Sequence, residues 1–116
     1  MFASGCGDPK TPTDPGGPPQ EHVVLVADFQ FTPARLVVRR GDTVTWRNTG
    51  GFHNVAADDG SFQCAEGCDG NGSGDPSAVL WTFSRSFTAA GDVPYHCMVH
   101  GGSGGRGMSG VIVVEP

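Results

Sequence analysis

The sequence predicts an all-β fold, an antiparallel β-sandwich or barrel of about seven to eight short strands. Short β-branched and aromatic runs alternate with period two, and glycine-rich or aspartate-containing breaks separate them. No window of about eleven or more residues shows the apolar stripe of a helix. A chain of 116 residues has room for one such domain with a single hydrophobic core.

The strand candidates follow one another along the chain. HVVLVAD at 22–28 comes first, and LVVRRGDTVTW at 36–46 gives two runs around a Gly41-Asp42 turn. Further candidates are FHNVAA at 52–57, VLWTFS at 79–84, SRSFT at 84–88, VPYHC at 93–97 and VIVVE at 111–115. We assign four aromatic side chains to the core: Phe31, Trp46, Phe83 and Phe87.

Composition divides the chain into a tether, residues 1–20, and a folded domain, residues 21–116. The tether is rich in proline and glycine and has almost nothing apolar to anchor it. The net charge of −5 comes without a basic block, which argues against a nucleic-acid partner. No apolar run approaches the ~20 residues of a membrane-spanning helix. We expect a monomer.

The cysteines at the ends of CAEGC predict a disulfide between Cys64 and Cys68, because two exposed thiols in a polar loop would be open to oxidation. Such a bond implies an oxidising compartment. The alternatives are two free thiols or half of a zinc site.

The segment ASGC at 3–6 resembles the end of a bacterial lipoprotein signal, in which the cysteine is lipidated. Ala3 stands where leucine is usual, and the hydrophobic stretch expected upstream is missing, as in a truncated or engineered chain. The alternative for Cys6 is an unpaired thiol in an ordinary tail.

A possible metal site lies in YHCMVHGGSGGRGMSG at 95–110. Cys97 and His100 are two residues apart at a strand end, so one turn can present a sulfur and an imidazole to the same point. His53 and Met108 would complete a set of one thiolate, two imidazoles and a thioether, which suits both Cu(I) and Cu(II). A thioether is not among the usual ligands of zinc in proteins.

Strand alternation separates the remaining histidines from this set. Tyr95 and Cys97 share one face of their strand and His96 points to the other, so we expect His96 to be a partly exposed strand residue. His22, next to the tether, is interpreted in the same way. Met98 is expected to pack or to lie on the rim of the site.

Over residues 22–115, three segments that follow one another in the family's order resemble the cupredoxins, in their plastocyanin and pseudoazurin-like branch. They are DFQFTPARLVVRRGDTVTWRNTGGFHNV at 28–55, SRSFTAAGDVPYHCMVH at 84–100 and GMSGVIVV at 107–114. The resemblance implies a Greek-key sandwich that binds one mononuclear type 1 copper ion. It implies His53 and His100 as the imidazole ligands, Cys97 as the thiolate and Met108 as the axial thioether. It also implies that Asn54 ties the His53 loop to the loop bearing Cys97.

Each of these roles has an ordinary alternative. Met108 would otherwise be a core methionine, His53 and His100 would be loop histidines with local partners, and Asn54 would be a residue that favours a turn.

The resemblance implies a blue copper protein that carries single electrons between redox partner proteins and catalyses no reaction. The edge of His100 is the expected electron port, and the periplasm or another extracytoplasmic space is the expected location, with or without an anchor at Cys6. The alternative is a copper chaperone or store of the cell envelope. A multicopper oxidase would need further histidines for a trinuclear cluster, and a binuclear centre would need two cysteines in the ligand loop.

The segment between His100 and Met108 departs from the family. Its seven residues, GGSGGRG, are more than relatives usually have, and Arg106 adds a positive charge. Either a slack insertion alters the axial geometry, or the loop bulges outward while Met108 is placed by its own strand.

Overall fold

Nine strands follow one another in the computed structural model, which describes residues 18–65 and 74–116. They are β1 (Glu21–Ala27), β2 (Gln30–Thr32), β3 (Arg35–Arg39), β4 (Thr43–Asn48), β5 (Val55–Ala57), β6 (Gln63–Cys64), β7 (Thr82–Ser86), β8 (Gly91–Gly102) and β9 (Arg106–Glu115). One sheet has the order β2-β1-β4-β7 and the other the order β3-β9-β8-β5-β6. The predicted all-β sandwich is confirmed.

The strands differ from the sequence prediction in number, in bounds and in direction. β2 and β6 were not predicted because two or three residues are too few to show a period. The strand expected at 79–84 starts only at Thr82, and the one expected at 52–57 starts only at Val55. β1 pairs with β4 and β3 with β9 in parallel, whereas the other pairs are antiparallel. The alternation of apolar residues predicts which face of the sheet a residue occupies, but not whether the neighbouring strand is parallel or antiparallel.

An aromatic cluster fills the space between the sheets. Trp46 stacks on Phe83 at 5.3 Å between ring centroids, and Tyr95 meets Trp46 edge-on, also at 5.3 Å. Phe31 and Phe87 are buried as well, so all four aromatic residues assigned to the core lie there. Each ring removes about 150–250 Å² from water, roughly 4–6 kcal/mol of transfer free energy. Cys97 belongs to this same core and is fully buried.

Asp42 fixes the start of the first strand. Its buried carboxylate accepts hydrogen bonds from the backbone N–H groups of Gln20, at 2.8 Å, and Arg39, at 3.0 Å, and lies 3.0 Å from Nε2 of His22. Burial raises the pKa of Asp42, but the hydrogen bonds from Arg39, Gln20 and His22 outweigh it, and the pKa lies below its ordinary value. His22 thus has a structural partner, Asp42, that is not one of the predicted metal ligands.

Among the described residues there is no helix long and apolar enough to cross a membrane.

Candidate metal centre

Three predicted ligands, His53, Cys97 and His100, come together at one end of the sandwich. Their donor atoms all lie within 4.8 Å of one another. The sulfur of Cys97 is 3.8 Å from Nδ1 of His53 and 3.7 Å from Nδ1 of His100. Cys97 is a free and fully buried cysteine, so its sulfur is available to a metal and shielded from solvent.

The ligand segment is an irregularity in the pairing of β8 with β9. His96 pairs with Ser109 and Gly101 pairs with Gly107, so the four residues 97–100 lie opposite a single residue, Met108. Extra residues in one strand bend it and redirect its side chains. The bend allows Cys97 and His100 to approach the same point, and it places the buried Met108 across from them.

His53 comes from the segment that precedes β5. Its backbone exchanges two hydrogen bonds with Ser77, of 3.2 and 3.1 Å, and its side chain is fully buried. Nδ1 faces Cys97, while Nε2 lies 3.1 Å from Oδ1 of Asp28. The ring is therefore held from the backbone side and from the nitrogen remote from Cys97.

Asn54 links the His53 segment to the segment that bears Cys97. Its Oδ1 accepts a hydrogen bond from the backbone N–H of Met98 at 2.9 Å, and its Nδ2 donates to the carbonyl of Gly74 at 2.9 Å. Because one partner donates and the other accepts, the orientation of the amide is defined. The Asn54 side chain is fully buried, so the bond to Gly74 is shielded from water and the bond to Met98 is partly shielded.

The surroundings of His53 favour the neutral form of its imidazole. Burial lowers its pKa and the neighbouring His100 lowers it further, while the hydrogen bond to Asp28 and the charge of that carboxylate raise it in part. The net result is a pKa below the ordinary value. A neutral imidazole has the lone pair that a metal ligand requires.

The spacing and chemistry of the donors fit copper. With the bond lengths typical of zinc, about 2.3 Å to sulfur and 2.0–2.1 Å to nitrogen, a first-row metal ion in a trigonal site would hold sulfur and nitrogen about 3.8 Å apart. The two measured separations, 3.7 and 3.8 Å, leave room for one such ion. A thiolate and two imidazoles with a thioether close by make up the donor set of blue-copper electron-transfer sites.

The segment at 101–107 is an ordered hairpin rather than a slack loop. Gly101 pairs with Gly107 and Gly102 with Arg106, which leaves a turn of three residues. A side chain at Gly101 would place its Cβ 2.3 Å from the carbonyl oxygen of Met108, so glycine permits this close approach of the two strands. The hairpin continues β8 and β9 beyond the ligand segment, and Met108 lies within β9.

Asp58 ties the hairpin tip to the ligand strand. Its Oδ2 accepts a hydrogen bond from the backbone N–H of Gly104 at 2.9 Å, and its Oδ1 lies 2.7 Å from Nδ1 of His96. His96 is partly buried and is not one of the three clustered donors, as its strand face predicts. The exposed Arg106 donates from Nε to the carbonyl of Ser103 within the turn.

The cysteines of the predicted disulfide are only partly described. Cys64 lies at the end of β6, and it is buried rather than exposed in a loop as expected from the sequence. Cys68 lies outside the described residues, so the Cys64–Cys68 bond stays a prediction. Cys6 and most of the predicted tether also lie outside them.

Two residues that the sequence analysis overlooked contact the imidazoles. Asp28 touches His53, and the ring of Phe29 meets the ring of His100 edge-on at 4.9 Å. Both lie in the turn between β1 and β2, which was not predicted because β2 was missed. A polar residue and an aromatic residue side by side at a strand end were the only signal.

The fold and the site together define a copper protein built on a β-sandwich. A comparison with protein families matches residues 21–115 to the copper-binding proteins of the plastocyanin/azurin family. The chain belongs to this family, the cupredoxins, and its cofactor is one type 1 copper ion.

Individual relatives agree with this assignment. The chain is 34% identical to a chloroplastic plastocyanin of Chlamydomonas reinhardtii over 89 residues, which cover 75% of this chain and 59% of that protein. It is 34% identical to a halocyanin of Natronomonas pharaonis over 106 residues, 83% of this chain and 58% of that one. The matched region is thus less than two thirds of the length of either relative.

A solved structure shows the same fold. An oxidized amicyanin variant is 32% identical to the chain, with 80% of each chain covered and a TM-score of 0.60.

Proposed function

We propose that the protein is a carrier of single electrons and that His53, Cys97, His100 and the thioether of Met108 would hold its copper ion. The observation that supports this most directly is the buried His₂Cys cluster with Met108 opposite the bend in β8. Bound copper supplies the one-electron Cu(II)/Cu(I) couple. In this role the protein makes and breaks no substrate bond, so we expect no enzymatic activity.

The protein's part in this function is to hold the ligands still. Asn54 fixes the ligand segment of β8 through Met98, and Ser77 fixes the backbone of His53. The packed aromatic core lies beneath Cys97. Because the ligands move little between the two oxidation states, little structural rearrangement accompanies the transfer of an electron.

His100 is the proposed electron port, because it is the clustered donor that is not fully buried. Exposed apolar side chains are its neighbours: Phe29 packs on its ring, and Met98 and Val99 precede it, with exposures of 66, 50 and 47%. An apolar rim of this kind suits brief docking of a redox partner protein, since such a surface can be desolvated without breaking ion pairs.

We further propose that the protein works outside the cytoplasm as a monomer, with Cys64 and Cys68 joined. The free thiol of Cys97 is compatible with an oxidising space because it is buried and would be bound to copper. A lipid anchor at Cys6 is a separate proposal, tested by mass spectrometry of the protein from its native membrane fraction. A slack ligand loop would suit the copper-handling alternative, and the paired hairpin does not favour it.

The decisive experiment adds Cu(II) to the purified apo-protein and records the visible and EPR spectra. We expect an intense thiolate charge-transfer band that disappears in Cys97→Ser, and a colourless adduct would overturn the proposal. Met108→Gln should shift the reduction potential and the spectrum while copper stays bound. The exposed Met98→Gln is the matched control and should change neither. Fast electron self-exchange without loss of copper to a modest chelator would separate a carrier from a copper store.

A further inference from the structure

We propose that Asp28 is a positioning residue for the copper ligand His53, and that its carboxylate lowers the reduction potential of the site. The inference rests on the proposed function and adds a determinant that lies outside the four ligands. It also assigns a role to the turn between β1 and β2, which the sequence analysis did not connect with the metal.

The carboxylate contacts the side of the ring that faces away from Cys97. Oδ1 of Asp28 lies 3.1 Å from Nε2 of His53, while Nδ1 of the same ring lies 3.8 Å from the Cys97 sulfur. A neutral imidazole carries one proton, so Nδ1 can offer its lone pair to a metal only if Nε2 keeps that proton. Nε2–H then donates to Asp28, which fixes both the tautomer and the orientation of the ring.

The space around this hydrogen bond depends on a glycine. A Cβ at Gly51 would lie 2.1 Å from Oδ1 of Asp28 and 2.5 Å from Nε2 of His53, the two atoms of the bond. Gly51 also has φ +90°, in the region that favours glycine. The segment before His53 therefore accommodates the carboxylate only because residue 51 has no side chain.

The turn that supplies Asp28 also supports the second imidazole. Phe29 has φ +79°, which is rare for a bulky residue, and its ring meets His100 edge-on at 4.9 Å. Adjacent residues of one turn thus contact both histidines. An unusual backbone conformation at this position fits a turn whose function is to place these two side chains.

The charge of Asp28 predicts the direction of its effect. A carboxylate that accepts the remote N–H makes the imidazole a stronger donor, and its negative charge favours Cu(II) over Cu(I). His53 is fully buried, but Asp28 is 64% exposed, so solvent screens part of this effect. Mutating a residue that hydrogen-bonds a metal-binding histidine typically changes the metal affinity by about tenfold or more.

The test compares copper-loaded Asp28→Asn and Asp28→Ala with the parent protein by voltammetry at neutral pH. Asparagine removes the charge but its amide oxygen can still accept from Nε2–H, whereas alanine removes both. We expect Asp28→Asn to reduce the preference for Cu(II) about tenfold, a rise in potential of about 59 mV for one electron. Asp28→Ala should raise it further and change the remote-nitrogen couplings of His53 in pulsed EPR.

Asp92→Asn is the matched control, since it removes one exposed carboxylate at the far end of β8. Blue variants whose potentials equal that of the control would overturn the role of Asp28 and leave the proposed function intact. A parent protein that gives no blue adduct would instead overturn the proposed function. Loss of copper binding in Asp28→Asn would also count against a tuning role, and urea unfolding of the apo-proteins will show whether both variants are folded.

Discussion

Replacing Asn54 with alanine tests whether one buried amide holds the two ligand segments together. In the native protein Asn54 accepts from the N–H of Met98 and donates to the carbonyl of Gly74, each at 2.9 Å. Alanine leaves the Met98 N–H without its partner, and it leaves the Gly74 carbonyl with only the long 3.4 Å contact from Nε2 of Gln63. The perturbation therefore removes two hydrogen bonds while adding no bulk.

The expected cost follows from these two contacts. A buried polar group that loses its partner costs about 1–3 kcal/mol, so the free energy of unfolding should fall by roughly 3 kcal/mol in Asn54→Ala. With a urea m-value of about 1.5 kcal/mol per molar, the midpoint should move down by about 2 M. Asn54→Asp can still accept from Met98, but it sets a carboxylate against the carbonyl of Gly74 and should also be destabilised.

Urea unfolding of the apo-protein measures the stability, and transfer of copper to a chelator measures the hold on the metal. Thr45→Ala is the control, because it removes an exposed hydrogen bond of 2.7 Å to Ser84 and should change stability by less than about 0.5 kcal/mol. We expect copper to leave Asn54→Ala faster than the parent. If Asn54→Ala is no less stable than Thr45→Ala and releases copper no faster, the reasoning about this amide is wrong.

Two further predictions concern stability and the hairpin. Because the pKa of Asp42 lies below its ordinary value of 3.8, its contribution to stability is present above that pH and is lost as the pH falls further. Asp42→Asn should therefore lower the free energy of unfolding by about 2 kcal/mol at neutral pH, with a difference that shrinks in acid; a pH-independent difference would contradict this. Gly101→Ala should push the strand bearing Met108 and alter the copper spectrum, because its Cβ would meet Met108 O at 2.3 Å. Gly104→Ala, where nothing lies within 4 Å, should cost about 1 kcal/mol in backbone strain and leave the spectrum unchanged.

The sequence predicted the fold because its signals are local. Alternation of apolar residues and the glycine-containing breaks indicated a sandwich, and the four aromatic residues assigned to its core are buried there. Alternation also separated His96 from Cys97, whose side chains are respectively partly exposed and buried. Short strands such as β6 carry no such signal, and the direction of pairing leaves no mark in alternation.

The spacing of Cys97 and His100, with the resemblance to a known family, identified the donors that the structure brings together. The order of those residues along the chain is a property of the sequence alone. The conformation of the glycine-rich segment at 101–107 could not be predicted from the sequence, because the same residues are compatible with an unpaired loop and with a paired hairpin. Cross-strand pairing of Gly101 with Gly107 decided between them.

The sequence by itself determined the class of fold through local alternation and composition, and together with the resemblance to a known family it predicted copper and a candidate set of ligands. Only the tertiary structure decided what surrounds those ligands. Asp28 and Gly51 lie far apart in sequence, and their meeting at Nε2 of His53 depends on how the turn after β1 packs against the segment before β5. Contacts of that kind arise when separate segments pack together, and no local pattern encodes them.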